Sequence, residues 1–205
     1  AKTRLPILLS TGMSNMKEIG QALKVLIFNG TPKKNITVLQ CNTEYPTPFR
    51  HVNLKAMLSI KKKYKVNVGY SDHTNGIEAS LAAAALGASM IEKHITLNTN
   101  LPGPDHWFAA NPKELSEWVN AIHTSHLMLG NSEIKPTENE EKMKILCRRS
   151  IVALKDISKG ELLNQQNIGL RRPGNGIPPQ FFVDVLNKTA SKDIHYGTLL
   201  TFDDF

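Results

Sequence analysis

Cysteine is nearly absent from this sequence: Cys41 and Cys147 stand far apart, and neither belongs to a CxxC pair. A chain of 205 residues buries a core without staples, so a disulfide framework, a zinc knuckle and a dithiol redox site are all unsupported. A reducing, cytoplasmic setting is expected. Aromatic residues are also scarce, at 6%. Long apolar runs are missing too: the longest, around Leu81 to Leu86, falls far short of the roughly 20 residues of a membrane span. The segment Ala1 to Pro6 is no signal peptide, and no membrane partner is expected. What remains is 40% hydrophobic and 21% charged, the composition of an ordinary globular protein. The net charge of +7 could attract nucleic acid, an acidic surface or a phosphorylated small molecule. The one dense basic run, Lys61 to Lys65, closes a helical pattern, where the helix dipole favours cations. It reads as a solvated helix end, and no nucleic-acid partner is expected.

Up to about residue 130, short β-branched runs alternate with helical patterns, the signature of βα units around a parallel sheet. Strands are expected at Ile7 to Ser10, Ile36 to Cys41, Val66 to Gly69 and Met90 to His94. The first helix has Asn15 and Glu18 in capping-box spacing, with Gly30 at its end. The second runs from Leu54 to Tyr64 after Asn53 as a candidate cap. The third is alanine-rich, from about Gly76 to Leu86. The fourth opens at Asn111, Pro112 and Glu114 and ends at Gly130. A charged, capless stretch with Pro136, residues 131–146, reads as a linker between a first domain at 1–130 and a small one at 147–205. In the small domain Lys155 to Leu163 recurs as Lys192 to Leu200, sharing six of nine positions, which implies a pseudo-symmetric pair of β-turn units. Between the copies, Arg171-Arg172-Pro173-Gly174-Asn175-Gly176 is too rich in glycine and proline for a helix or central strand and should be an exposed loop.

In a parallel βα fold, chemistry gathers in the loops beyond the strand C-termini. The first such loop, Ser10-Thr11-Gly12-Met13, suits donation to an anion, although a simple capped turn accounts for it equally well. The second, Cys41 to Pro48, is stiffened by Pro46 and Pro48. The third and fourth, Gly69-Tyr70-Ser71-Asp72-His73-Thr74 and Glu92-Lys93-His94-Ile95-Thr96, each place a histidine at a strand end. Consecutive parallel strands are usually neighbours about 4.8 Å apart, so His73 and His94 can aim at one point and hold a divalent metal with positions left for water and substrate. Side-chain alternation puts Ser71 on the face of His73 and Glu92 on that of His94. Pro102-Gly103-Pro104-Asp105-His106 forms a rigid turn beside the His94 loop, and Asp105 could bind hydroxyls. His51, His123, His126 and His195 lack converging partners and receive no role.

These six motifs, Ser10 to Met13, Tyr45 to Pro48, Gly69 to Thr74, Glu92 to His94, Pro102 to Asp105 and Arg172 to Gly176, resemble the sialic acid synthase family in order and approximate spacing. The resemblance implies an α/β fold comprising the C-terminal half of a (β/α)8 TIM-type barrel followed by a small SAF, antifreeze-like β-clip domain. It implies condensation of phosphoenolpyruvate with an N-acylated mannosamine-type sugar, giving a nonulosonic acid and phosphate. A divalent metal is implied, manganese first and magnesium or cobalt as alternatives. By position, His73 and His94 match the metal ligands and catalytic centre. Ser10, Thr43 and Ser71 match contacts to phosphoenolpyruvate, and Tyr45 and Asp105 match contacts to the sugar. Arg172 matches an arginine that the small domain inserts into the other subunit's site in a domain-swapped homodimer. At Thr43 other members carry Ser or Asn.

The implied mechanism has the metal polarise the sugar aldehyde while the phosphoenolpyruvate methylene attacks it. Water then adds at C2 and phosphate leaves by carbon–oxygen cleavage. The pattern Cys41 to Tyr45 looks most like synthases of bacterial sugars such as legionaminate. Four βα units where the family has eight lead to the expectation that the chain is a fragment lacking the first half-barrel. The rival expectation is a non-catalytic carbohydrate-binding or oligomerisation module.

Overall fold

The computed structural model describes residues 1–205 and divides into two compact units, Ala1–Asn131 and Ser132–Phe205. In the first, strands β1 (Ile7–Ser10), β2 (Ile36–Gln40), β3 (Asn67–Asp72) and β4 (Ile91–Lys93) form one sheet in sequence order. All three pairings are parallel. Helices α1 (Met16–Phe28), α2 (Lys55–Tyr64), α3 (Glu78–Ala85) and α4 (Pro112–Met128) follow the strands in turn. This is a four-stranded half-barrel, with β1 and β4 as its open edges.

The local chemistry of the helix ends explains their positions. Asn15 accepts from the Lys17 and Glu18 amides while the Glu18 carboxylate reaches back to the Asn15 amide, a complete capping box. Asn111 and Glu114 repeat it at α4 around Pro112. At the other end of α1, the Gly30 amide donates to Ile27 and that of Thr31 to Leu26, with Gly30 at φ +92°. Only glycine adopts that conformation without strain. Asn53 does not cap α2: the cap position is Leu54, with no side-chain hydrogen bond.

Strands β2 and β3 are interior, so both of their edges are paired, and most of their side chains are buried. Ile36, Val38, Leu39, Val68 and Tyr70 are all 1% exposed or less. Each such aliphatic or aromatic side chain contributes roughly 1.5–3 kcal/mol on burial. Ile36, Val38 and Val68 pack with Ile19, Leu23, Met57 and Ile60 from α1 and α2, and Tyr70 packs with Val52, Ala79 and Ala83. The third and fourth strands are displaced from the expected spans. β3 continues through Asp72 because Ser71 and Asp72 pair with Glu92 and Lys93, and β4 stops at Lys93, leaving His94 just beyond it.

In the second unit, the stretch read as a capless linker contains a helix. Thr137 and Glu140 form a capping box that starts α5 (Glu138–Cys147). Polar spacing alone hid this helix, because it has almost no apolar face and buries no residue. An antiparallel ribbon of β5 (Ser150–Ala153) and β6 (Ile168–Arg171) and a short helix α6 (Phe182–Val185) complete the unit.

The internal repeat folds as a pseudo-two-fold pair. The amides of Ile157 and Ile194, matched positions in the two copies, each donate to the other's carbonyl at 2.8 Å. Asp156 accepts from the Tyr196 amide and Asp193 from the Lys159 amide, both at 2.7 Å. Gly160 and Gly197 sit at φ +87° and +82°. Ile157, Leu163, Ile194 and Leu200 fill one core.

Gly69 in β3 has no room for a side chain, since a Cβ would press on the Met90 carbonyl and on Leu39 Cδ2. Gly69→Ala should therefore destabilise the half-barrel unit by about 1–3 kcal/mol. A urea midpoint equal to that of the parent chain would contradict this close approach.

Candidate functional site

The ends of β3 and β4 carry the two histidines, and their ring centroids lie 5.1 Å apart at 80°. What aligns them is an ion pair one residue earlier on each strand. Asp72 and Lys93 are register partners, and Lys93 Nζ lies 3.4 Å from Asp72 Oδ2 with both side chains buried. The Asp72 carboxylate also accepts from the Thr74 amide and hydroxyl at 2.8 Å each and from the Ser80 hydroxyl on α3. Lys93 donates to the Thr74 carbonyl as well. Because successive strand residues alternate faces, anchoring Asp72 and Lys93 toward α3 turns His73 and His94 to the opposite face.

His73 is 6% exposed, and its Nδ1 lies 2.6 Å from the Asn42 carbonyl. A carbonyl only accepts, so Nδ1 carries the proton and Nε2 keeps its lone pair. Burial pushes the His73 pKa below the ordinary imidazole value, with the nearby His94 adding to the effect, while the Asn42 carbonyl opposes it. The Ser71 hydroxyl bridges the two strands: it donates to Glu92 Oε1 at 2.6 Å and lies 3.3 Å from His73 Nε2.

The loop after β2 closes over this pair. The Thr47 amide donates to the His73 carbonyl at 2.8 Å, and the Asn42 side chain donates to the His51 carbonyl. These ties lay the Tyr45 ring against His73 at a centroid distance of 4.3 Å and 5.6 Å from His94. Burial raises the Tyr45 pKa, with Cys41, Asp105 and Glu92 adding to the rise, so the phenol stays protonated at neutral pH. Beyond β4 the chain doubles back: the Ala110 amide donates to the His94 carbonyl and that of Thr96 to Ala110. This return brings Phe108 to 5.1 Å from His94 and 5.5 Å from Tyr45. Asp105 Oδ2 lies 3.9 Å from His94 Nδ1.

Of the expected site residues, Tyr45, Ser71, His73, His94 and Asp105 therefore gather at one place. Ser10 and Thr43 lie at neighbouring strand ends but exposed, and no side-chain hydrogen bond links them to the histidines. Thr43 instead packs on Gly12, whose absent Cβ leaves room for its hydroxyl. Arg172 belongs to the second unit, where its Nε donates to the Cys147 carbonyl at 3.0 Å. Sequence reasoning missed Phe108, the Asp72–Lys93 anchor and the Asn42 carbonyl. The anchor was detectable as two opposite charges each preceding a histidine. A backbone acceptor leaves no trace in a sequence.

The donor set suits a divalent metal in its chemistry: one imidazole is locked with its Nε2 lone pair free, and a second lies beside it. No cluster of three or more His, Cys, Asp or Glu side chains with metal-binding geometry occurs.

Residues 1–134 match the NeuB family and residues 148–205 the SAF domain. The chain belongs to the NeuB family. It is 48% identical to the N,N'-diacetyllegionaminic acid synthase of Campylobacter jejuni, over 98% of this chain and 60% of that protein. Pseudaminic acid synthase from the same species is 36% identical over the whole chain and 59% of its own length. Among solved structures, the Bacillus subtilis spore coat polysaccharide biosynthesis protein SpsE matches 99% of the chain with 31% identity and a TM-score of 0.58. This chain spans 62% of it. The chain thus corresponds to about three fifths of the relatives' length. No helix is long and apolar enough to cross a membrane.

The lowered His73 pKa fixes a sign. Above about pH 6.5 the imidazole is neutral in folded and unfolded chains alike and contributes no pH dependence. Below that, the unfolded chain takes up the proton first, so the half-barrel loses stability as the pH falls from 6.5 toward the folded pKa. NMR titration of the His73 ring should give a midpoint below 6.5, and a midpoint at or above it would refute the buried, neutral assignment.

Proposed function

We propose that the protein to which this chain belongs condenses phosphoenolpyruvate with an N-acylated mannosamine-type sugar, forming a nonulosonic acid of the legionaminate or N-acetylneuraminate class and releasing phosphate. The observation carrying this reading is the convergence of His73, His94, Tyr45 and Asp105 at adjacent strand ends in a chain of the NeuB family. The relatives' names support the substrate class, since they are synthases of legionaminic and pseudaminic acids.

His73 and His94 would hold a divalent ion, manganese in the first instance, which when bound would act as a Lewis acid toward the sugar aldehyde. Ser71, Ser10 and Thr43 would donate hydrogen bonds to phosphoenolpyruvate. Ser71 can do so by releasing the Glu92 carboxylate, a rotation of one hydroxyl. Asp105, which is 61% exposed at its side chain, can accept from sugar hydroxyls, and the Tyr45 and Phe108 rings give the sugar an apolar wall. In the condensation the phosphoenolpyruvate methylene forms the new carbon–carbon bond, water adds at C2, and the C2–oxygen bond breaks to free phosphate. Arg172 would close over the N-acyl group from a second subunit, where a planar guanidinium can bond the acyl carbonyl. The enzyme would work in the cytoplasm as a domain-swapped homodimer.

In the protein expressed at its relatives' full length, His94→Ala should abolish metal-dependent turnover. Unchanged manganese dependence would sink the ligand assignment. Mixing full-length Arg172→Ala with full-length His94→Ala subunits should restore turnover, because each heterodimer holds one site with both residues intact. An exchanged mixture as inactive as its parents would place Arg172 outside the shared site.

A further inference from the structure

Four of the chain's six arginines, Arg148, Arg149, Arg171 and Arg172, gather at one end of the β5–β6 ribbon. The antiparallel register sets Ser150 opposite Arg171, which brings the end of α5 and the start of the glycine-rich loop together. Arg149, Leu170, Arg171 and Arg172 line an open surface cleft of about 470 Å³ there. All four arginines are exposed.

None of them has a carboxylate partner, whereas every ion pair in the chain uses a lysine or a histidine. Their side-chain hydrogen bonds go to backbone carbonyls: Arg171 Nη1 to Leu170 at 3.2 Å and Arg172 Nε to Cys147 at 3.0 Å. The sequence keeps acids away as well, with none between Glu141 and Asp156 or between Glu161 and Asp184. This is a local concentration of charge, since residues 132–205 carry eleven Lys and Arg against ten Asp and Glu.

We propose that Arg149 and Arg171 form the core of a binding cleft for phosphate dianions. Three guanidiniums lining one cleft repel one another, and a multiply charged anion relieves that repulsion best. Phosphate carries about 1.5–2 negative charges near neutrality and matches the guanidinium fork in two-point contacts. A single carboxylate offers half that charge. The proposed reaction consumes a phosphate monoester and releases inorganic phosphate. The proposal rests on that reading only for naming these two anions, and binding is measured without turnover.

The test titrates the ¹⁵N-labelled 205-residue chain with inorganic phosphate and, separately, with phosphoenolpyruvate at low salt, following the backbone amides of residues 148–150 and 170–172. Both probes should move these amides. Saturation by phosphoenolpyruvate alone would identify the monoester as the ligand, and saturation by both would identify the phosphate group. Arg149→Gln with Arg171→Gln should weaken binding at least about tenfold, the scale of a lost charge-assisted contact, while Arg4→Gln with Arg50→Gln, equal in charge change, should leave it intact. The cleft is refuted if neither probe moves these amides, or if both double variants weaken binding alike. If the glutamine variant unfolds, Arg149→Lys with Arg171→Lys decides: it keeps the charge and loses the fork, so binding at the wild-type level would overturn the assignment.

Discussion

A carboxylate and an ammonium with almost no exposed surface lie side by side at the C-terminal end of the half-barrel, Asp72 on β3 and Lys93 on β4. Taking these charges out of water is tolerable only because Thr74, Ser80 and the Thr74 carbonyl complete their hydrogen bonding. Losing either partner of such a pair costs about 3–5 kcal/mol, because the other is left buried and uncompensated. The pair fixes more than stability. It locks the relative register of two parallel strands at the point where each gives way to a loop, and each histidine is the next residue along. The separation of the imidazoles is thus set by strand spacing rather than by the histidines themselves.

The aromatic cover over the histidines depends on the same anchor at one remove. Tyr45 is held because its loop bonds to the backbone of His73, and Phe108 because its loop returns to the backbone of His94. Both contacts use main-chain groups whose positions follow from the strand ends. Side chains at these places can therefore vary without loss of the loop path.

The half-barrel was legible in the sequence because its signals are local: capping boxes at Asn15 and Asn111, glycine stops at Gly30 and Gly130, and β-branched runs between them. The convergence of His73 and His94 was legible because topology makes consecutive strands neighbours. Two features were not. Helix α5 lacks an apolar stripe, and its Thr137–Glu140 cap was lost in a run of charges. Phe108 reaches the site only through the doubling back of the chain after β4, a path fixed by backbone hydrogen bonds between Thr96, Ala110 and His94. Six sequence motifs led to the family that the comparisons establish, since spacing in a parallel fold reports on strand ends even where individual contacts stay invisible.

The pseudo-two-fold of the small domain divides its labour unevenly. The two repeats support each other through matched contacts, Asp156 to Tyr196 and Asp193 to Lys159. The arginine loop lies between the two copies. That loop is pinned at both ends by isoleucines in the core, Ile168 and Ile177, and tied at Ser150 through Pro173 and Gly176. It behaves as a cassette clipped into a duplicated frame. Residues such as Arg171 and Asn175 are exposed, so their side chains can be exchanged while the frame around them folds unchanged.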